Sequence, residues 1–274
     1  MDAALRAFAR EMAAPDPEID LARAALLIAA VEHPSFRPEE SLHALEDLAA
    51  MSGAKRADDE LHRLHRLREF LFEEEGFRGN DADYYDPRNS CLNDVLARRL
   101  GIPITLSLVL IEVGRRVGLE IAGIGLPGHF IVGARVGGDK ILLDPFHGGA
   151  MLTRDACVDL VAQAVGRRMA LRAEHFAPVT RRQLLIRMLN NLKANYSKRQ
   201  EWPKLLAVIE RLLVADDTSA AEVRDRGTVR ITLGDYAGGL ADWERYLTRC
   251  PEAPDAEALR GQLRRVRLTL ASLN

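Results

Sequence analysis

The chain has 274 residues, of which 47% are apolar and 28% charged, the profile of a globular protein with one or two domains. Its 38 basic and 40 acidic side chains nearly balance, so charge gives no reason to expect nucleic acid or an anionic membrane as a partner. The three cysteines form no closely spaced pair, which favours a reducing cytoplasm over a disulfide framework or a cysteine zinc site.

Neither a secretory signal nor a membrane span is expected. Residues 1–10 lack a basic start followed by an apolar run. The most apolar stretch, residues 102–113, is too short to cross a bilayer and is typical of a buried helix.

The first 76 residues have helical periodicity throughout. Apolar residues recur on one face over residues 19–31, a second helix opens at Pro38, and a third covers residues 58–75. His62 and His65 lie three positions apart on the third helix, a spacing that suits a metal. No third ligand lies nearby in the sequence, so we interpret them as part of a solvated face.

The centre of the chain changes character. Residues 76–89 are rich in Gly, Asp, Asn and Pro and predict a loop, and helices are predicted over 90–100 and 104–117. Extended runs follow at 121–136 and 140–143, separated by a Gly-Gly-Asp turn, and they predict a β-hairpin. The layout predicts an α+β core.

The C-terminal third is helical and has an internal period. At an offset of 34 residues, Trp202 corresponds to Tyr236, and apolar residues recur together at the same offset. This period is typical of tetratricopeptide (TPR) repeats, although two unrelated amphipathic hairpins are an alternative. Two repeats fall short of the three usually needed, so they should pack on the preceding domain. Trp202, Tyr236, Trp243 and Tyr246 are candidates for the binding face.

The hairpin carries the candidate site. We expect His129 on its first strand and Asp144 at the end of its second, within hydrogen-bond reach of each other. In cysteine-nucleophile enzymes a histidine accepts the thiol proton and an Asp or Asn orients the imidazole. The sequence therefore predicts the second and third members of such a triad.

Four motifs in this region carry a family resemblance: YYDPRNS, RRLGIPITLS, PGHF and LLDPFHGG. With the helical start and the repeats, they make the chain resemble the SirB family of bacterial transglutaminase-like proteins, often labelled regulators of sirC expression. The resemblance covers essentially the whole chain. It implies a papain-like α+β core over residues 1–177, including the helical lead-in, and a TPR tail over 178–274.

The expected nucleophile is missing from this pattern. Active transglutaminases place a cysteine at the start of the helix that leads into the first strand, and by that register the position is Pro103. Proline suits a helix N-terminus but has no nucleophilic atom. Cys91 is an alternative nucleophile because it lies in the first turn of the preceding helix. Thr105 and Ser107 are expected to bond backbone carbonyls.

Three further residues are assigned to the cleft around Pro103, Gly128 and His129. His147 either lines this cleft or caps its own loop. Asp86 and Asn89 either close over the cleft or make the side-chain-to-backbone bonds that Asp and Asn make in turns. No cofactor and no metal are expected.

Three functional hypotheses follow. The first is a non-catalytic protein that binds a protein or peptide partner through its TPR tail. The second is a cysteine-dependent acyl transferase, deamidase or amide hydrolase that uses Cys91, His129 and Asp144. The third is a ligand-binding remnant in which His129 and Asp144 hold a small molecule without turning it over.

Overall fold

The computed structural model describes residues 2–35 and 37–273. The N-terminal part consists of helices with polar starts: α1 (Ala3–Met12) and α2 (Leu21–Ala29) begin after Asp2 and Asp20, whose carboxylates accept backbone N–H groups. Helices α3 and α4 follow at Pro38–Met51 and Glu60–Glu69, and α4 runs into a wider turn at Phe70–Glu74.

The central part has six short strands and three helices within the described residues. Two-residue strands β1 (Arg78–Gly79) and β2 (Leu100–Gly101) pair in parallel on either side of α5. The main sheet is antiparallel in the order β3-β4-β5-β6. The bounds are α5 Leu92–Arg98, α6 Pro103–Arg116, β3 Glu120–Ile124, β4 Ile131–Val136, β5 Asp139–Asp144, β6 Ala150–Leu152 and α7 Arg154–Val165.

The main sheet is buried on both faces. Along β4, Val132 and Ala134 face the large core, which includes α6, whereas Ile131 faces a smaller cluster with Val161 of α7. Helix α6 is buried continuously from Pro103 to Gly114. The α+β layout is confirmed.

The predicted hairpin differs in one respect that matters for the site. The extended run over 121–136 is two strands, because residues 125–130 leave the extended conformation. Gly128 adopts φ +71°, and a Cβ there would lie 2.9 Å from the Cβ of Ala164. His129 therefore lies in the connection before β4 and not on a strand, which corrects the sequence-based placement.

The tail consists of helical hairpins and a final helix. Helices α9 (Trp202–Ala215) and α11 (Tyr236–Arg249) each have 14 residues, and both their starts and their ends are 34 residues apart. The sequence period is thus reproduced in the helix bounds. The remaining helices are α8 Arg181–Arg199, α10 Ala220–Thr232 and α12 Ala256–Leu273.

Small residues lie where helices α10 and α11, the second hairpin of the tail, meet. Helices α10 and α11 approach at Gly227 and Gly239: a Cβ on Gly227 would lie 2.5 Å from the Trp243 ring, and one on Gly239 would lie 2.8 Å from the Gly227 carbonyl oxygen. Because neither position has room for a side chain, these glycines let the two helices pack closely.

The first tail hairpin shares the large core with the N-terminal helices. Apolar residues of α8 and α9, including Leu192 and Ile209, pack in one cluster with α2 and α6. Polar contacts reinforce the joint: the Asp16 carboxylate accepts the backbone N–H groups of Arg181 and Arg182 at the start of α8, at 3.0 and 2.9 Å. The expectation that the repeats pack on the preceding domain is confirmed. In the described part of the chain, no helix is long and apolar enough to cross a membrane.

The shared core leads to a stability prediction. Replacing Leu192, which is fully buried on α8, with alanine should lower the free energy of unfolding by about 2–5 kcal/mol, because the substitution leaves a cavity. Leu268→Ala, at a side chain that is 71% exposed, is the matched control and should change it by less than about 0.5 kcal/mol.

Urea unfolding, followed by tryptophan fluorescence and by far-ultraviolet circular dichroism, measures the free energy of unfolding of both variants. Both tryptophans, Trp202 and Trp243, lie in the tail, whereas circular dichroism follows the helices of the whole chain. A shared core therefore requires the two transitions of Leu192→Ala to move together. A shift of the fluorescence transition alone would contradict it.

Candidate functional site

The site forms where the connection before β4 meets the end of β5. His129 Nε2 lies 3.0 Å from Asp144 Oδ2, and the histidine is 8% exposed while the aspartate is fully buried. Burial by itself would raise the pKa of Asp144, but hydrogen bonds and charge from His129 and His147 outweigh it and hold the pKa below its ordinary value. Asp144 is therefore an ionised acceptor at neutral pH.

His147 joins this pair from the turn after β5. Its Nδ1 lies 2.7 Å from the same Asp144 Oδ2, and its ring stacks on that of His129 with centroids 5.9 Å apart. The turn is closed locally, because Gly149 N–H donates to the Asp144 carbonyl at 2.9 Å and Phe146 N–H donates to Asp144 Oδ1 at 3.0 Å. Two imidazoles thus converge on one carboxylate oxygen.

The loop that carries His129 is fixed by helix α8. The Arg187 guanidinium donates to the carbonyls of Leu126 and His129, at 3.3 and 3.2 Å, and lies over the Phe130 ring. Burial lowers the pKa of Arg187 below its ordinary value. A side chain of α8 therefore helps to fix the position of the histidine loop.

A cavity of about 290 Å³ opens beside His129. Its walls come from the loop before α5, the start of α6, the loop before β4, and α8. Pro103, the first residue of α6, and His129 both line it, so the register inferred from the sequence brings the nucleophile position to the same cavity as the histidine. The lining residues are Tyr84, Ile102, Pro103, Ile104, Gly128, His129, Phe130, Arg187, Asn190 and Asn191.

The family can now be stated. Residues 39–190, more than half of the chain, match the family described as the transglutaminase-like superfamily, and residues 192–264 match the tetratricopeptide repeat. The chain belongs to the transglutaminase-like superfamily.

The chain is similar to proteins of two bacteria and to part of a mouse protein. The chain is 33% identical over 259 residues to a UPF0162 protein of Xylella fastidiosa, which covers 90% of each chain. It is 28% identical over 206 residues to a UPF0162 protein of Vibrio cholerae, with 75% of this chain and 76% of that protein covered. A shorter match, 33% identical over 130 residues, links 44% of this chain to 20% of mouse F-box only protein 21. No solved structure matches the chain significantly.

Cys91 lies outside the cavity that His129 lines. It precedes α5, is fully buried, and is not among the described residues that line the cavity. Burial raises the pKa of the Cys91 thiol far above its ordinary range, and the charges of Asp94, Glu32 and Asp86 raise it further. The helix N-terminus does not offset this burial, so the thiol stays protonated at neutral pH.

Asp86 and Asn89 brace the loop and do not line the cavity. Asp86 accepts the Arg88 backbone N–H at 3.0 Å and forms ion pairs with Arg88 and Arg98. Asn89 is fully buried and its amide donates to the carbonyls of Asp83 and Tyr84, at 2.7 and 3.3 Å. Of the two interpretations of these residues, the structure favours the turn.

The two hydroxyls on α6 behave differently from each other. Thr105 Oγ1 donates to the Asn89 carbonyl at 2.7 Å and accepts the Ile102 N–H, which matches the expected backbone bonding. Ser107 is buried and its hydroxyl has no partner, so the expected bond to a carbonyl is wrong for this residue.

The aromatic residues proposed for the TPR face have separate environments. Trp243 and Tyr246 are 3% and 6% exposed and pack in a cluster with α12, which corrects their assignment to an outer face. Trp202 is partly buried against the large core. Tyr236 is 42% exposed. The recurring aromatics are thus chiefly packing residues of the repeat.

The sequence leaves the role of His147 open and gives no sign that Arg187, Asn190 and Asn191 line the cavity. The LLDPFHGG motif was a signal for His147, because a three-residue helical turn after β5 folds its side chain back towards Asp144. No sequence signal connected α8 to the site, since α8 lies about 60 residues beyond His129 and was assigned to the repeats.

The buried thiol leads to a reactivity prediction. Iodoacetamide should leave Cys91 unmodified in the native protein even near the ordinary thiol pKa of about 8.5, and should modify it after denaturation. Cys250, which is partly exposed, is the internal control and should react in the native state. Peptide mass spectrometry reads both sites, and rapid native labelling of Cys91 would contradict the assignment.

Proposed function

We propose that this protein binds a protein or peptide partner and does not carry out cysteine-dependent acyl transfer. One observation carries the proposal: the first residue of α6, which lines the same cavity as His129, is Pro103. The family scaffold keeps the histidine and the carboxylate but has no thiol at that position.

The chemistry of the class requires that thiol. Covalent acyl transfer needs a thiolate within about 3–4 Å of the imidazole, and proline offers no nucleophilic atom. The alternative enzyme would use Cys91, which is buried outside the cavity with a raised pKa. Both observations favour a site that binds without acylation.

The cavity walls offer groups that suit a peptide segment. Asn190 and Asn191 are exposed on α8, and their amides supply both donors and acceptors for a peptide backbone. Tyr84, which is 40% exposed, adds an aromatic surface at the same cavity. Because α8 belongs to the first tail hairpin, a bound segment would contact both the transglutaminase-like part and the tail, and helical repeats present surfaces for such segments.

The finer assignment follows from the family resemblance. We assign the protein a regulatory role of the kind that the label of the SirB family describes, exerted through binding. Its cysteines are unpaired among the described residues, which favours a reducing cytoplasm.

A cysteine placed at position 103 tests the missing nucleophile. In a Cys91→Ser background, Pro103→Cys should label with iodoacetamide at about pH 6, because a helix N-terminus and an adjacent imidazole lower a thiol pKa. Adding His129→Ala should slow the labelling.

The matched control is Ile104→Cys, one position along the same helix start. Equal labelling of the two cysteines, or no effect of His129→Ala, would contradict the register. Deamidase or amide hydrolase turnover by the unmodified protein that Cys91→Ser abolishes would overturn the proposal.

A photo-crosslinking residue tests the binding face. Placed at Asn191 in the source cell, it should form a defined adduct that Asn190→Ala weakens, because both amides line the cavity. The control position is Glu46, exposed on α3 outside this cavity. The same adducts at both positions would contradict a partner in the cleft.

A further inference from the structure

His129, Asp144 and His147 place three metal-ligating atoms together at the edge of the sheet. His129 Nε2 and His147 Nδ1 lie 3.0 and 2.7 Å from Asp144 Oδ2, and the ligand atoms of the three residues lie within 4.8 Å of one another. At metal–ligand distances of about 2.1 Å, neighbouring ligand atoms lie about 3.0–3.4 Å apart. Each nitrogen therefore lies about as far from Asp144 Oδ2 as neighbouring ligand atoms lie from each other in a coordination shell.

A hydrogen-bonded pair of His129 and Asp144 does not by itself require His147. One imidazole is enough to pair with Asp144, as His129 does from its buried position. The His147 side chain is 55% exposed, although the Asp144 side chain that it contacts is fully buried. Yet His147 directs a ring nitrogen at the carboxylate oxygen that already pairs with His129. Two imidazole nitrogens and one carboxylate oxygen this close together are a ligand set that divalent transition metal ions use.

The surroundings hold these ligands in place. The Phe146 N–H donates a hydrogen bond to Asp144 Oδ1 at 3.0 Å, and this contact from outside the ligand set orients the carboxylate. Arg187 fixes the loop of His129, and the Gly149 N–H closes the turn of His147. A ligand set held by its own backbone loses little entropy when an ion binds.

We infer that His129, Asp144 and His147 form a binding site for a divalent transition metal ion such as Zn²⁺. Imidazole and carboxylate ligands suit Zn²⁺ and related first-row ions, whereas Mg²⁺ and Ca²⁺ prefer oxygen ligands alone. The ion takes the lone pair of the ring nitrogen that faces Asp144, so the proton of that nitrogen passes to the other ring nitrogen or to water. The exposed side of His147 leaves room for water or for an oxygen atom of a bound partner. This site does not depend on the proposed partner binding.

Equilibrium dialysis of the untagged full-length chain against Zn²⁺, with metal quantified by mass spectrometry, tests the site. The unmodified protein should bind one zinc ion. His147→Ala should lower the affinity for zinc by more than the roughly 10- to 100-fold that follows from loss of an outer-shell contact. His129→Ala removes the other imidazole and should have the same effect, so one variant suffices if the other fails to fold.

The matched control is His62→Ala. His62 also pairs with a carboxylate, Asp59, at 2.8 Å, but on the exposed face of α4 and without a second histidine at that oxygen. It should leave the zinc stoichiometry and affinity unchanged. With Co²⁺ in place of Zn²⁺, the unmodified protein and His62→Ala should show visible ligand-field absorption that His147→Ala lacks. Equal uptake and equal spectra in all variants would overturn the site.

Discussion

The buried packing of helix α8 is the constraint on which the rest of the structure depends. One face of this helix completes the core formed by α2 and α6, and its start is held by the Asp16 carboxylate. Farther along, Arg187 fixes the loop of His129, and Asn190 and Asn191 form a wall of the cavity. One helix thus contributes to the shared core, to the His129 loop and to the cavity wall. The proposed binding site therefore belongs to both the tail and the transglutaminase-like part.

Pro103 begins α6 at the wall of the cavity that His129 also lines. A nucleophile at a helix N-terminus has two properties: a backbone that begins a helix and a side chain that reacts. Pro103 keeps the first, because its fixed φ suits the first helical position, and lacks the second. The helix remains buried and aimed at the cavity, since its burial depends on the apolar residues that follow. The cavity beside Pro103 has both apolar and polar walls, and it is the binding site that we propose.

Asp144 organises the chemistry that is left. It is fully buried yet ionised, because one oxygen pairs with two imidazoles and the other accepts a backbone N–H. An unpaired buried carboxylate would take up a proton instead. The same convergence that keeps Asp144 charged gives the cluster its suitability for a cation. Charge at this site is thus a property of the three residues together.

The sequence by itself determined the helices, the 34-residue period, the α+β order and the proline at the nucleophile position. These features depend on residues close along the chain, whose periodicity and turn chemistry are visible in the letters. It also paired His129 with Asp144, although it placed His129 on a strand that Gly128 prevents from forming there. Only the tertiary structure decided that Cys91 is buried away from the cavity, that Trp243 and Tyr246 are core residues, and that Arg187 reaches back to the His129 loop. Those outcomes depend on which elements, far apart in the sequence, pack together. Such packing leaves no periodic pattern in the sequence of either element.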